Sequence, residues 1–397
     1  MKDYKYLIIG GGMTADAAVK GIRSIDEQGP IGIIANEPDP PYKRPPLSKD
    51  LWSGDASLED IWCNTERKGA EILRGRHACA LDARKQEVTL EGGEVTRYEQ
   101  LLLATGGHPR RLPMGGDDVI HYRTCKDYRR LRSLCDKAHH FAVIGGGFIG
   151  AEIAAALCMN DKKVTMVFPE SALCGLLLPT SFAKTLNRYY EEKGVTLVTG
   201  RKPSDIHRDE DVLVVHLENG HMFSVDGVVA GIGLKPNTQL AETAGLEVDN
   251  GIVVDAQLRT KDAHIYAAGD VANFHNPLLE RRIRVEHEDN ALTMGETAGR
   301  NMAGASQSYD HLPYFYSDLF DVGYEAVGLT DSSLDVITDL KNPQDKGCIF
   351  YLQHTRVRGV VFWNLYDKVP AGRELIMAPG PHSENDLRAW TKERLHA

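Results

Sequence analysis

The apolar residues of this chain fall into short runs separated by glycine turns and by stretches with helical spacing. The first run, residues 4–9, leads directly into a glycine turn at residues 10–12, and residues 15–24 have helical spacing. A second apolar run, residues 31–35, is followed closely by Glu37. The order of strand, glycine turn, helix, strand and acid predicts a dinucleotide-binding βαβ unit.

The same order of elements returns later in the chain. Residues 141–144 are an apolar run, residues 145–150 read GGGFIG, a helical stretch continues to about Met159, and residues 163–168 are again apolar. A single glycine motif is weak evidence, whereas two copies, each between a strand and a helix, are strong evidence. Two dinucleotide sites in one chain indicate electron transfer between nucleotide cofactors.

The residue types of the first turn suggest its chemistry. Glycines let the backbone approach a pyrophosphate, and the free N–H groups at the helix start bind its charge. Ala15 stands in place of the third glycine, which the motif tolerates. Glu37 is placed to accept hydrogen bonds from a ribose.

Composition and charge exclude several classes of protein. Hydrophobic residues make up 42% of the 397 residues and charged residues 26%, which is ordinary for a globular chain and argues against disorder. The net charge of −10 disfavours a nucleic-acid binder. The longest apolar runs are shorter than the ~20 residues of a membrane span. Because residues 1–3 lead directly into a strand, we expect no targeting leader and a cytoplasmic protein.

The seven cysteines follow no redox or metal motif. They lie at positions 63, 79, 125, 135, 158, 174 and 348, with no CxxC spacing. We therefore expect reduced, mostly buried thiols, no redox disulfide and no metal site.

Several further motifs resemble one enzyme family. They are YKRPPLSKDLW at residues 42–52, VFPE at 167–170, RVEHED at 284–289, FYSDL at 315–319, DVGYEAVG at 321–328 and GVVFWN at 359–364. Together with the glycine turns, they resemble the pyridine nucleotide–disulfide oxidoreductase superfamily. Within it, the chain resembles the ferredoxin-reductase-like branch, and above all apoptosis-inducing factor and its prokaryotic relatives.

The resemblance implies an α/β fold with two Rossmann-like dinucleotide-binding domains, for FAD and for NAD, and a C-terminal α+β domain. The FAD-binding domain would be discontinuous, comprising residues 1–110 and 245–311. The NADH-binding domain would comprise residues 111–244 and the C-terminal domain residues 312–397. In the last of these, residues 348–353 and 357–363 predict a hairpin and residues 383–395 a closing helix.

The resemblance also implies which residues bind the cofactors. FAD would be bound by Gly10, Gly11, Gly12, Met13, Thr14, Ala15, Glu37, Arg44, Lys49, Ala78, Arg123, Asp270, His287, Glu288 and Tyr316. NADH would be bound by Gly145, Gly147, Phe148, Ile149, Gly150, Glu170, Gly233, Glu286 and Asn364. At the position of Tyr316 the relatives usually carry tryptophan, so nicotinamide packing on the flavin could differ here.

The implied reaction is hydride transfer from NADH to flavin N5, in which the protein contributes position and electrostatics. The family pairs a lysine and a glutamate at Lys49 and Glu152 beside the flavin. A buried pair at these positions could stabilise the charge that develops during flavin reduction. Because no redox cysteine pair is expected, the reduced FAD would pass electrons outward, and a disulfide reductase is disfavoured.

The electron acceptor stays open at this point: a ferredoxin, a rubredoxin, a quinone or dioxygen. The first hypothesis is an NADH oxidoreductase of the apoptosis-inducing-factor type. The second is the ferredoxin or rubredoxin reductase of an oxygenase chain, for which residues 281–284 (RRIR) are a candidate basic patch. The third is a redox sensor whose oligomeric state or partner changes when NADH binds. A homodimer is compatible with each of them.

NADH is the expected cofactor rather than NADPH. The stretch after the strand at residues 163–168 contains Glu170 and no base, and an acid can accept a hydrogen bond from a 2′-hydroxyl but repels a 2′-phosphate. Lys163 lies at the opposite end of that strand, roughly 16 Å away in an extended chain.

Overall fold

The computed structural model describes residues 2–338 and 340–395, with the side chains of residues 394 and 395 left undescribed. Contacts between Cα atoms divide the chain into two compact units. The first unit comprises the chain up to Arg44, Ser57–His108 and Lys235–Pro313; the second comprises Pro45–Ala56, Pro109–Leu234 and the chain from Tyr314 onward. The division into three domains stays a prediction.

The strands, in chain order, are β1 Lys2–Ile9, β2 Ile31–Ala35, β3 Ala70–Arg74, β4 Ala78–Asp82, β5 Glu87–Leu90, β6 Val95–Leu103, β7 Gly107–Pro109, β8 Val119–His121, β9 His140–Ile144, β10 Lys163–Phe168, β11 Val195–Thr199, β12 Pro203–Asp209, β13 Val212–Leu217, β14 Met222–Val225, β15 Gly227–Ala230, β16 Leu234–Pro236, β17 Ile252–Val253, β18 Ile265–Ala267, β19 Ala272–Asn276, β20 Arg281–Ile283, β21 Tyr314–Leu319, β22 Val322–Gly328, β23 Asp335–Thr338, β24 Gly347–Gln353 and β25 Arg356–Trp363.

The α-helices are α1 Met13–Arg23, α2 Asp50–Ser53, α3 Cys125–Cys135, α4 Phe148–Met159, α5 Thr180–Glu192, α6 Gln239–Thr243, α7 Glu288–Met302, α8 Val369–Met377 and α9 Glu384–Leu395. Short 3₁₀ turns lie at Pro45–Ser48, Leu58–Ile61, Thr65–Lys68, Gly116–Asp118 and Gly269–Val271. Among the described residues, no helix is long and apolar enough to cross a membrane.

The first unit is built on a sheet with the strand order β3-β2-β1-β6-β5-β4, with β18 also paired to β6. β1 is parallel to both β2 and β6, and its inner half is fully buried, as expected for a strand covered on both faces. α1 and α7 pack closely, and glycines at the contact permit this approach. A Cβ at Gly21 or Gly299 would overlap a backbone carbonyl oxygen of the other helix. α1 follows β1 after the glycine turn, so the start of α1 lies at the carboxyl end of β1.

The second unit contains a parallel sheet in the order β11-β10-β9-β15-β8. α4 follows β9 and packs on β9 and β10, which completes the second predicted βαβ unit. A smaller antiparallel sheet has the order β12-β13-β14, and its inner face buries Ile206, Leu213, Val215 and Leu217.

The chain from Tyr314 onward forms an antiparallel sheet in the order β21-β22-β25-β24-β23, with α8 and α9 after it. The predicted hairpin is β24 and β25, and the predicted closing helix is α9. The fold class is therefore confirmed as α/β with two Rossmann-like parallel-sheet domains and a C-terminal sheet domain. α1 begins two residues before the predicted start, because Gly12 is extended and acts as the N-cap.

Candidate functional site

The first glycine turn combines a tight backbone approach with an open side. Gly10 has φ of +120°, and a Cβ there would overlap the carbonyl oxygen of Ala104. A Cβ on Gly11 would lie 2.6 Å from that of Ala35. Around Gly12, in contrast, no heavy atom of the described residues, apart from its neighbours along the chain, lies within 4 Å of the Cβ position. The loop therefore needs glycine for its own packing at Gly10 and Gly11, and at Gly12 leaves its backbone accessible to a ligand.

The start of α1 has the character of an anion-binding site. No side chain caps it at Gly12, and Met13, Thr14 and Ala15 in its first turn are buried. Helix N-termini bind phosphates through their free N–H groups and the helix dipole. A Cβ on Gly269 would overlap Oγ1 of Thr14, so the turn that carries Asp270 lies against this helix start.

Glu37, Tyr42 and Arg44 form a compact hydrogen-bonded group at the end of β2. Arg44 donates to Oε1 of Glu37 at 2.5 Å and to the Tyr42 hydroxyl at 2.9 Å, and that hydroxyl donates to Oε2 of Glu37 at 2.6 Å. Burial lowers the pKa of Arg44, but Tyr42, Glu37 and Asp270 outweigh it and raise that pKa, so the guanidinium stays charged. The structure thus brings together three predicted FAD residues: Glu37, Arg44 and Asp270.

His287 is held neutral close to the same group. Burial lowers its pKa to about 4, against the opposing effect of Asp270 and Asp289. It is the N-cap residue of α7, whose first residue is Glu288. A neutral imidazole can accept or donate a hydrogen bond without adding charge at a ligand.

Glu286 and Ala78 are two further predicted residues of the first unit. Glu286 forms an ion pair with Arg284 at 2.6 Å, and Arg284 also donates to the carbonyl oxygen of Asp270 at 3.0 Å. Ala78 is buried at the start of β4.

The second glycine turn repeats the design of the first. Gly145 has φ of +114°, and a Cβ on it would overlap the carbonyl oxygen of Gly231. A Cβ on Gly150 would overlap the carbonyl oxygen of Gly145. At Gly147, apart from its neighbours along the chain, no heavy atom in the part of the chain that the structure describes lies within 4 Å of the Cβ position. Phe148 is half-buried and Ile149 is 38% exposed at the start of α4. The open side of this turn is again the helix start.

Glu170 lies just after β10, where the sequence suggested no nearby base. The structure adds Arg201, which follows the parallel neighbour β11: its backbone N–H donates to the carbonyl oxygen of Phe168 at 3.2 Å. Gly200 donates to the carbonyl oxygen of Glu170 at 3.0 Å. Sequence analysis missed Arg201 because strand pairing, not chain distance, brings it to this end of the sheet.

Gly233 and Arg123 are positioned by backbone contacts within the second unit. Gly233 has φ of +94°, and its carbonyl oxygen accepts from the backbone N–H of Arg110 at 2.9 Å. Arg110 is an exposed cation that sequence analysis did not single out. The backbone N–H of Arg123 donates to Asp127 at 3.1 Å, immediately before α3.

Lys49 and Glu152 form an ion pair, as expected from the sequence. Their side chains are only 7% and 5% exposed. The hydroxyls of Ser48 and Ser317 also donate to the Glu152 carboxylate, at 2.5 and 2.7 Å, so three donors surround it. Sequence analysis missed both serines, although each is adjacent to a predicted residue.

Tyr316 lies beside this pair. Nζ of Lys49 is 5.4 Å from the centroid of its ring, a cation–π distance. The next acid along β21, Asp318, has its pKa raised by burial and by Glu152, with Lys49 acting in the opposite direction.

Asn364 is engaged with the backbone of the C-terminal sheet domain. Its side chain donates to the carbonyl oxygens of Pro343 and Asp345, at 2.8 and 2.9 Å, and accepts from the backbone N–H of Gly323 at 2.9 Å. This geometry favours a structural role, and its contact with nicotinamide stays a prediction.

All seven cysteines are free thiols, and Cys125, Cys135, Cys174 and Cys348 are buried. Burial raises the pKa of Cys174 to about 12 and that of Cys135 to about 11. Thiols with raised pKa values are poor nucleophiles at neutral pH. These buried thiols are therefore poor candidates for disulfide exchange.

Comparison with known proteins agrees with this geometry. The model of the family described as pyridine nucleotide-disulphide oxidoreductase matches residues 4–295. The model of the mitochondrion-associated C-terminal domain of apoptosis-inducing factor matches residues 298–340 and 338–378.

Among individual relatives, mitochondrial apoptosis-inducing factor 1 of Dictyostelium discoideum is 34% identical over 95% of this chain and 79% of its own length. Putidaredoxin reductase of Pseudomonas putida is 32% identical over 89% of this chain and 87% of its own. A crystal structure of a covalent putidaredoxin reductase–putidaredoxin complex superimposes with a TM-score of 0.88 at 29% identity, covering 99% of this chain and 100% of that one. The chain spans 63% of the length of a Drosophila melanogaster relative that is 33% identical to it.

These similarities confirm the predicted family, fold class and cofactors, and the expectation of a flavoprotein oxidoreductase. The individual roles of the site residues stay predictions. The chain belongs to the pyridine nucleotide-disulphide oxidoreductases, which use FAD and NAD(H), and it resembles both apoptosis-inducing factor and the ferredoxin reductases.

Proposed function

We propose that this protein is an FAD-dependent NADH oxidoreductase that takes a hydride from NADH and delivers electrons to a separate acceptor. The observation that carries the proposal is the Lys49–Glu152 pair, whose charges are withdrawn from water and which has two serine hydroxyls on the carboxylate. A buried ion pair adds little to stability, because desolvation offsets most of the attraction, so this degree of burial favours a functional role for the pair.

The residues of the first unit fit FAD. The open helix start after Gly12 suits a pyrophosphate, and Glu37 has the carboxylate that a ribose requires. Arg44 holds Glu37 in place and adds a positive charge near the phosphates. His287 and Asp270 would lie toward the ribitol and ring, with His287 neutral.

The second glycine turn fits NADH. Gly147 leaves the helix start of α4 accessible, and Glu170 follows the second strand as a hydrogen-bond acceptor for the ribose. FAD, when bound, supplies the redox chemistry of this reaction. Lys49 would place its positive charge where negative charge develops on reduction, and Glu152, Ser48 and Ser317 would orient it.

Anaerobic titration of the purified protein with NADH tests the proposal. We expect the flavin absorbance to bleach with about one equivalent of NADH. A long-wavelength band that persists, with slow reoxidation in air, would favour the apoptosis-inducing-factor type of enzyme. Absence of bleaching with excess NADH would contradict the proposal.

A ferredoxin-type protein is the second candidate, as an acceptor. Its support is the similarity to putidaredoxin reductase, including the structure of that protein with putidaredoxin. Within the RRIR run, Arg284 pairs with Glu286, which offsets its charge. Arg281 and Arg282 are both exposed, although Arg282 also donates to the carbonyl oxygens of Val254 and Asn273, and these two arginines are the candidate contacts.

Turnover with putidaredoxin, compared with ferricyanide as a small acceptor, tests this candidate. Rapid ferricyanide reduction with no putidaredoxin reduction would argue against a ferredoxin-type acceptor.

Light scattering with and without NADH tests the redox-sensor alternative and the predicted homodimer. A molecular mass of twice the chain mass supports the homodimer. A mass that changes on reduction supports a sensor that changes its oligomeric state, and a constant mass argues against such a sensor.

A further inference from the structure

Three polar side chains cluster on the small antiparallel sheet of the second unit, outside the residues proposed for the reaction. Asp205 and His207 belong to β12 and His216 to β13, and one ligand atom from each lies within 4.8 Å of the other two. Nδ1 of His207 is 2.8 Å from Oδ2 of Asp205. The two imidazole rings are stacked, with centroids 5.3 Å apart and 23° between their planes.

Strand pairing explains why these side chains meet. Asp205 is directly opposite His216 in the antiparallel register, and His207 is two positions farther along the same strand. Residues opposite each other, and residues two apart, point to the same face of a sheet. The alternate positions, Ile206 and Val215, are buried on the other face. The core therefore fixes the backbone under the cluster, while Asp205 and His207 face solvent.

Although the cysteine spacing predicted no metal site, we propose that Asp205, His207 and His216 bind one divalent transition-metal ion of the zinc type. Two imidazoles and one carboxylate are a ligand set that Zn²⁺ accepts, with a fourth position open to water. Mg²⁺ and Ca²⁺ prefer sites made entirely of oxygen atoms, so this set discriminates against them.

The spacing of the ligand atoms requires a modest closure. Ligands at about 2.0 Å from a tetrahedral ion are roughly 3.3 Å from one another, closer than the widest separation here. Rotation of the exposed side chains of Asp205 and His207 can supply this closure, because neither packs in the core. The ion would replace the hydrogen bond between His207 and Asp205.

The test is zinc affinity, measured by competition with a chromophoric chelator on untagged, FAD-loaded protein. All samples carry Cys79→Ser, which removes the exposed thiol as a second zinc ligand. The test variant is His207→Asn with His216→Asn. The matched control is His221→Asn, an exposed histidine on the turn between β13 and β14. The flavin absorbance spectrum checks that each variant is folded.

We expect one Zn²⁺ per chain, an affinity loss of at least about tenfold in the double variant, equivalent to about 1.4 kcal/mol, and no loss in His221→Asn. Asp205→Asn should fall between them. Equal zinc affinity of the double variant and the parent protein would overturn the proposal. So would an equal loss in His221→Asn, which would indicate nonspecific histidine binding. Competition by Mg²⁺ at the same concentration as Zn²⁺ would overturn the metal class.

Discussion

Lys49 and Glu152 show how much a single buried contact can depend on its neighbours. The pair is almost fully withdrawn from water, and a buried ion pair adds little stability by itself because desolvation offsets the attraction. Removing one partner is a different matter, since the other charge is left buried and uncompensated. The hydroxyls of Ser48 and Ser317 would then be the remaining partners of the carboxylate.

Lys49→Ala should slow flavin reduction much more than it weakens NADH binding. Loss of one partner of a buried ion pair typically costs about 3–5 kcal/mol of free energy. We expect this cost to appear mainly in the energy barrier to flavin reduction. Stopped-flow reduction rates and NADH dissociation constants measure the two effects separately. Ser317→Ala, which removes one neutral donor, is the control and should have a smaller effect. Reduction rates unchanged within about threefold in Lys49→Ala would show that the pair is only structural.

His287 should make the protein sensitive to acid. Its folded-state pKa of about 4 lies below the ordinary histidine value, so between about pH 6.5 and 4 the unfolded chain takes up a proton that the folded chain does not. The contribution of neutral His287 to the free energy of unfolding is fully present above this pH window. It is lost as the pH falls through the window, by an amount on the order of 3 kcal/mol. The Tm of the His287→Asn variant should therefore decrease less between pH 7 and pH 5 than the Tm of the parent protein. Parallel Tm–pH curves would contradict this assignment.

At the scale of elements, each glycine turn contains some glycines that the packing of the fold requires and one glycine that leaves the helix start accessible to a ligand. Gly150 is required by the fold, because its Cβ would overlap the Gly145 carbonyl oxygen. Gly147 has open space around its Cβ position, so the fold itself does not require glycine there. A requirement for glycine at Gly147 would then come from the ligand.

Gly147→Ala should leave Tm within about 2 °C of the parent value but raise the NADH dissociation constant by about tenfold. Gly150→Ala should lower Tm clearly, since overpacking costs about 1–3 kcal/mol. Differential scanning fluorimetry and fluorescence titration make the comparison. Unchanged NADH affinity in Gly147→Ala would mean that this turn does not approach the cofactor.

We expect residues at the ends of β10 and β11 to determine the preference for NADH over NADPH. Glu170 repels a 2′-phosphate, whereas Arg201, brought in by strand pairing, could attract one. We expect NADH to be preferred by about ten- to a hundredfold in kcat/KM, equivalent to about 1.4–2.8 kcal/mol. Glu170→Ala should narrow this ratio and Arg201→Ala should widen it. A ratio that neither substitution changes would exclude both residues from selectivity.

At the scale of the whole molecule, the proposed FAD site depends on segments far apart in the chain. The first glycine turn, Glu37 and Arg44 come from the amino-terminal segment, whereas Asp270 and His287 come from the segment after Lys235. α1 and α7 join the two by close packing. FAD binding should therefore report on the folding of this unit as a whole.

The purified protein should be yellow, with one non-covalent FAD per chain. Because FAD binds only the folded chain, its removal should lower Tm, and reconstitution should restore it in a concentration-dependent way. Flavin absorbance after extraction and thermal unfolding of both forms provide the measurements. A colourless protein that takes up no FAD would overturn the functional proposal.

Local sequence was sufficient to predict the two βαβ units, because glycine turns and apolar strands are short-range signals. β2 and β10 have the predicted limits, and the family motifs led to the cofactors and to the Lys49–Glu152 pair. These features depend on chain neighbours, or on motifs specific enough to identify relatives. The RRIR run shows the limit of such signals, since tertiary contacts engage two of its three arginines.

Only the tertiary structure decided which distant side chains meet. Pairing of β11 with β10 brings Arg201 beside the end of β10, and pairing of β13 with β12 brings His216 to Asp205 and His207. Burial of His287 shifts its pKa, and the sequence does not reveal that burial. The physical reason is common to all of them: strand register and burial are set by packing over long chain separations, whereas motifs record only neighbours along the chain.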